Sequence, residues 1–103
     1  MLQDDGFDAK LRSLIAAVVE GPGELDAARR RAALAATSAE PLMAAYVAKV
    51  AQRAHTVTDA DVAALARAGY SDDEIFEATV AAAVGAGVSR LERGLAVLEG
   101  KEP

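Results

Sequence analysis

Residues 57–98 read VTDADVAALARAGYSDDEIFEATVAAAVGAGVSRLERGLAVL, and this stretch decides the fold. Thr58-Asp59-Ala60-Asp61 has the layout of a capping box, with Asp in place of the usual Glu. A helix follows to Ala68, with Val62 and Leu65 pointing inward and Gly69 as its C-terminal stop. Ser71-Asp72-Asp73-Glu74 is then a complete S-x-x-E box, followed at once by Ile75 and Phe76. Two caps so close together predict a tight helical hairpin.

The second arm of that hairpin meets no proline between Asp72 and Leu98. Phe76, Val80, Val84, Val88, Leu91, Leu95 and Leu98 form its expected apolar stripe. At 1.5 Å per residue such a helix is about 40 Å long. A compact chain of this size has a radius of gyration of about 13 Å and a diameter near 33 Å. The helix is therefore expected to overhang its own domain, exposing Leu91, Leu95 and Leu98 unless a partner covers them. Ala81/Gly85, Ala82/Ala86 and Ala83/Gly87 are small residues four apart. Gly85 and Gly87 each cost about 1 kcal/mol relative to Ala in a helix interior, which is sensible where another backbone comes close. A kink or a helix break at Gly85–Gly87 is the alternative, and Gly94 is a second weak point. The expectation is a homo-oligomer in which the C-terminal helix docks on another subunit.

Working outward, Phe7 to Glu20 carries Phe7, Leu11, Leu14, Ile15, Val18 and Val19 at helical spacing, and Gly21-Pro22-Gly23 ends it. Glu24 to Thr37 forms the second helix, with Leu25 and Leu34 its only large apolar residues. Its Arg29-Arg30-Arg31 run reads as a solvated face within reach of Asp26. Ser38 is taken as the N-cap of a third helix with Pro41 in its first turn, running to Ala54. Leu42, Met43, Tyr46, Val47 and Val50 are its buried stripe, with Lys49, Gln52 and Arg53 toward water. The chain thus reads as a single all-α domain over residues 1–103: a bundle of about five helices with a long C-terminal helix, and a frayed tail from Gly100 to Pro103.

Composition agrees and sets limits. Much of the apolar content is alanine, the best helix former, but alanine buries little area, so the helices must approach closely or borrow surface. The net charge of −5 argues against a nucleic-acid partner, which would need a basic face. No run of 18 apolar residues is present, so no membrane span is expected. The start Gln3-Asp4-Asp5 lacks the basic region of a signal peptide, which suits a cytoplasmic location. The absence of cysteine excludes disulfides, iron–sulfur clusters, thiolate zinc sites and thiol catalysis by this chain.

His55 is the only histidine. With Glu40 or Asp61 nearby in sequence, and Asp59 and Tyr46 as neighbours, it is the candidate for general acid–base chemistry. The competing reading makes His55 a surface residue or a dipole partner at a helix end, and Asp59 and Asp61 ordinary first-turn acids. One imidazole and no tight carboxylate cluster predict no metal site. No glycine-rich phosphate loop and no G-x-S-x-G elbow occur, so no cofactor is expected.

Val57 to Val62, then Ala66-Arg67-Ala68-Gly69-Tyr70-Ser71-Asp72-Asp73-Glu74-Ile75, resembles the carboxymuconolactone decarboxylase / AhpD-like family. Thr79 to Gly87 and Arg90 to Leu95 look like the final helix of its small members, so the likeness covers about the last half of the chain. It implies an all-α homo-oligomer. The family's peroxidases carry C-x-x-C-x-x-x-H ahead of the turn. Counting back from Gly69 puts that histidine at Asp61 and the cysteines at Ala54 and Val57. The place of the family's relay glutamate falls on Leu42, with Glu40 out of step, and His55 matches no motif position. The resemblance therefore implies fold and assembly without thiol peroxidase activity: a diverged, non-redox binding or accessory module. The alternative is a cofactor-free enzyme acting on a small organic acid or lactone with His55 and a carboxylate. A helical protein that pairs with a different chain is the third possibility.

Overall fold

The helical hairpin is present, and both of its caps close as the sequence predicts. In the computed structural model, which describes residues 5–100, the order is α1 (Asp5–Glu20), α2 (Ala27–Leu34), α3 (Pro41–Arg53), a 3-10 turn (Ala54–Thr56), α4 (Asp59–Arg67) and α5 (Asp72–Leu98). No strand occurs among the described residues. Thr58 Oγ1 accepts from the Asp61 amide while Asp61 accepts from the Thr58 amide. Ser71 and Glu74 make the same reciprocal pair. Gly69, at φ +107°, supplies the left-handed residue between them. The acidic start at Gln3-Asp4, the Phe7 side chain and the tail beyond Gly100 lie outside the described residues.

α5 is the spine, packed chiefly on α2 and α3. It runs unbroken through Gly85 and Gly87, so the helix does not break there. Its buried residues are Ile75, Ala78, Ala81 and Ala82. This corrects the expected stripe at Phe76, which is 67% exposed and points away from the core, whereas Leu98 is 72% exposed, as expected of an overhanging end. The reason is steric. Gly85 lies on the same helical face as Ala78, Ala81 and Ala82, and a Cβ there would sit 1.9 Å from the Leu34 carbonyl oxygen. The core face is the one with the smallest side chains, because α2 approaches backbone to backbone. Gly87, by contrast, has nothing within 4 Å of an added Cβ.

The rest of the core is Leu25, Ala33, Met43, Tyr46, Val47, Val50 and Leu65. Tyr46 spans from α3 to α5 through a 2.7 Å hydrogen bond with Thr79. Leu42, expected inside, is 43% exposed. α3 starts at Pro41 with Glu40 as N-cap; Ser38, two residues before that cap, instead accepts at its Oγ from the Glu40 amide.

α2 is shorter than the sequence suggests at both ends. Leu25 leaves the helix to become a core anchor at 3% exposure, and Asp26 caps the Arg29 amide. At the other end Ala36 takes φ +60°, and the Thr37 and Ala36 amides donate back to the Ala32 and Ala33 carbonyls in a Schellman closure. The loop before α2 is clasped by Glu77 of α5, whose carboxylate accepts from the Glu24 and Leu25 amides at 2.8 and 2.9 Å.

The arginine run is not one solvated face. Arg29 and Arg31 are exposed, pairing with Glu40 and Glu20. Arg30 is only 7% exposed and donates to the Val18 carbonyl in the last turn of α1. A cation is favoured there by the helix dipole and by carbonyls that lack helical partners. α1 is otherwise thinly covered: Val19 is its one buried side chain among those described, and Leu14 is 47% exposed.

The molecule measures 47 × 28 × 20 Å with a radius of gyration of 15.0 Å, above the about 13 Å of a compact chain this long. Among the described residues, no residue of α5 beyond Ala82 is buried. The helix overhangs, as its length requires. No described helix is long and apolar enough to cross a membrane.

Candidate functional site

α3 and α4 lie side by side and enclose a cleft of about 240 Å³. Leu42, Ala45, Tyr46, Lys49 and Arg53 come from α3 at spacings of three and four, so they share one face. Asp61, Ala64 and Leu65 come from α4 by the same rule. Leu65 and Tyr46 are buried and form the floor, and the charged groups stand above it.

Asp61 is the pivot. The capping box fixes its side chain, and the same Oδ2 atom that accepts from the Thr58 amide at 2.8 Å also accepts from Lys49 Nζ at 2.8 Å. The Lys49 hydrogen bond, followed by the Thr58 amide, lowers the Asp61 carboxyl below its ordinary value. Both partners are about three-quarters covered, with side-chain exposures of 27% and 29%. Arg53 lies one turn beyond Lys49, and its guanidinium has no hydrogen bond or ion pair among the described residues. The cleft therefore holds two cations against one carboxylate, above an apolar floor. An anion with a short apolar body matches that pattern. The volume falls below the roughly 300–1,000 Å³ of drug-sized sites, so only a small ligand fits.

The three residues singled out from sequence are held by three separate sets of contacts. Asp61 is in the cleft. Glu40 lines a different hollow, with Asp26, Arg29 and Ser38. There it accepts a hydrogen bond from the Tyr70 hydroxyl and faces Arg29 at 3.8 Å. Burial first, then the Glu40 carboxylate, pushes the Tyr70 phenol up to about 12. This contact ties the α4–α5 turn to the start of α3. His55 sits exposed in the 3-10 turn, and among the described residues no hydrogen bond or ion pair joins it to Glu40, Asp59 or Asp61.

Lys49 and Arg53 were legible as helix-face cations but not as a pair over a cleft. The signal was their i,i+4 spacing opposite a capping-box acid whose second lone pair had no local use. A larger hollow of about 290 Å³ between Leu34, Ala51, Gln52, Gly85 and Arg90 offers less chemistry, because Arg90 is engaged by the Ala51 carbonyl at 2.8 Å. No group of three metal-ligating side chains converges among the described residues. No family model matches the chain, and neither a curated protein nor a solved structure matches it.

Proposed function

We propose that this chain is a self-associating, AhpD-like helical module that binds a small organic anion in the α3–α4 cleft and has no thiol peroxidase activity. One observation carries the reading. At the position that the family resemblance assigns to the peroxidase histidine stands Asp61, bound to Lys49 with Arg53 unpaired beside it. Ala54 and Val57 stand where the thiols would be, so the same corner of the fold holds charge in place of redox chemistry.

In this reading Asp61 positions Lys49 and does not touch the ligand. Its carboxylate holds the ammonium at the cleft edge, while Arg53 presents a fork of donors suited to a carboxylate. Leu42 and Ala64 contact the ligand's apolar body. Acid–base catalysis through His55 has less support, because His55 is exposed and Glu40 and Asp61 are engaged elsewhere. The self-associating part rests on the C-terminal half of α5, where no residue beyond Ala82 is buried among the described residues.

The test is titration of isotope-labelled protein with butyrate and with butanol, followed by amide NMR. Butyrate is expected to shift Lys49, Arg53, Ala64 and Leu65, butanol to leave them in place, and Arg53→Ala to weaken the response at least fivefold. Equal shifts with the alcohol, or none with either, would overturn the anion site. Hydroperoxide turnover by the purified chain would overturn the non-redox assignment.

A further inference from the structure

The face of α5 turned away from the core is as ordered in sequence as the face turned toward it. Phe76, Val80, Ala83, Gly87, Leu91, Gly94 and Leu98 follow at spacings of four, three, four, four, three and four. Leu98 lies twenty-two positions beyond Phe76, covered in six such steps of about 3.67 residues each, the period of an eleven-residue repeat that keeps one face of a nearly straight helix. This face lies opposite Ile75, Ala78, Ala81 and Ala82. It carries no charged residue. Phe76 and Leu98 are 67% and 72% exposed; Ala83, Gly87 and Gly94 are exposed; Val80 and Leu91 are partly so. Arg90, on the flank, is turned aside by its bond to the Ala51 carbonyl.

The stripe is also symmetric. Phe76 and Leu98 lie eleven residues either side of Gly87, Val80 and Gly94 seven, and Ala83 and Leu91 four. Large residues thus have small ones as mates at equal distance, Val80 with Gly94 and Leu91 with Ala83. Such a stripe is its own complement when reversed. We propose that two copies pair through an antiparallel crossing of α5 with the two-fold axis at Gly87, an inference that rests on the self-association proposed above and gives it a geometry. Val80 then fills the space over the partner's Gly94, Leu91 sits on the partner's Ala83, and Phe76 meets the partner's Leu98. Gly87 meets the partner's Gly87, where an added Cβ would otherwise find open space. That contact gives a use to a glycine that costs about 1 kcal/mol in a helix interior and has no packing role within the protomer.

The seam is about 33 Å long at 1.5 Å per residue. With a face roughly 10–12 Å wide it buries on the order of 700–800 Å² in total, less than the roughly 1,200 Å² at which standard stable interfaces begin. An interface of that size belongs to weak, transient pairs, so measurements should span roughly 1 to 300 µM.

The chain has no cysteine, so single cysteines report geometry without background. Under mild oxidation at about 100 µM, Gly87→Cys is expected to give mostly cross-linked dimer. Phe76→Cys alone should stay monomeric on a non-reducing gel, because its own mate lies about 33 Å away, whereas an equimolar mixture of Phe76→Cys and Leu98→Cys should cross-link. Arg67→Cys, exposed on α4, sets the level of random collision. Gly87→Arg, placed in open space, should keep the helical circular dichroism and remain a monomer in sedimentation.

Self-linking of Phe76→Cys would overturn the antiparallel arrangement. Gly87→Cys linking no faster than Arg67→Cys, or Gly87→Arg still dimeric, would overturn the face. An oligomer in sedimentation that links nowhere on α5 would leave self-association standing and this geometry overturned. A monomer at 300 µM would overturn both.

Discussion

Replacing Gly85 by Ala and, separately, Gly87 by Ala makes the same chemical change two residues apart, and the two should move stability in opposite directions. At Gly85 the new Cβ would lie 1.9 Å from the Leu34 carbonyl oxygen and 2.8 Å from its carbon, both backbone atoms that cannot rotate away. Ordinary contact begins near 3.4 Å, so the α2–α5 seam must open by about 1.5 Å. Ala33, Ala78, Ala81 and Ala82, at 2% exposure or less, line that seam and lose packing together. Overpacking costs about 1–3 kcal/mol, with the upper end expected for backbone against backbone, and the higher helix propensity of Ala offsets about 1 kcal/mol. The net loss is about 1–2 kcal/mol, or roughly 5–15 °C in Tm for a domain of this length. At Gly87 nothing opposes the propensity gain, so Gly87→Ala should gain about 1 kcal/mol at low-micromolar concentration, where association contributes least. Thermal and urea melts followed by circular dichroism measure both. A Gly85→Ala protein as stable as the parent would refute the close approach of α2 and α5 from which the packing argument starts.

Ala36 holds a left-handed conformation that costs an L residue about 1–2 kcal/mol, so Ala36→Gly should raise the urea midpoint by an amount equivalent to about 1 kcal/mol; no change would mean the turn relaxes in solution. Glu77→Ala removes two charge-assisted bonds to the Glu24 and Leu25 amides and should lose about 2–4 kcal/mol in chemical denaturation, with Glu77→Gln intermediate. Because the folded Tyr70 phenol titrates near 12 against 10.0 when unfolded, the stability it confers is complete below pH 10 and declines as pH rises toward 12; Tyr70→Phe should flatten that part of a pH–stability curve. Asp61 is depressed, so its contribution is complete above its model-peptide value of 3.8 and is lost as pH falls through its folded value, a decline that Lys49→Met should shrink.

How far the sequence could be read depended on the range of the interaction. The capping boxes at Thr58 and Ser71 and the Gly69 stop are local, and local chemistry states them fully. Which face of α5 turns inward was misread, because periodicity weighs large apolar residues and this seam is built from Ala78, Ala81, Ala82 and Gly85. A glycine with Leu34 against it and a glycine open to solvent look the same in one dimension. Arg30 was misread for a related reason: its acceptor is a carbonyl twelve residues away at the end of α1. The Glu77 clasp on Glu24 and Leu25 spans half the chain and leaves no local trace. Of the site, the residue types at Asp61, Lys49 and Arg53 were legible on their helices, but their meeting across a cleft follows from how α3 packs on α4.

The thin attachment of α1 sets the order in which this molecule comes apart. Among the described residues, the buried Val19, the half-buried Val18, the Arg30 bond to the Val18 carbonyl and the exposed Arg31–Glu20 pair hold the first helix to the body, and the Glu77 clasp holds the loop beside it. The clasp joins residues 52 apart, so it closes only after α5 exists to offer the carboxylate. Amide protons of α1 should therefore exchange with solvent through a small, local opening, while those of Ile75 to Ala82 wait for the whole protein to unfold. On that basis the N-terminal helix should dock late, as a flap on a bundle that α2 to α5 already close.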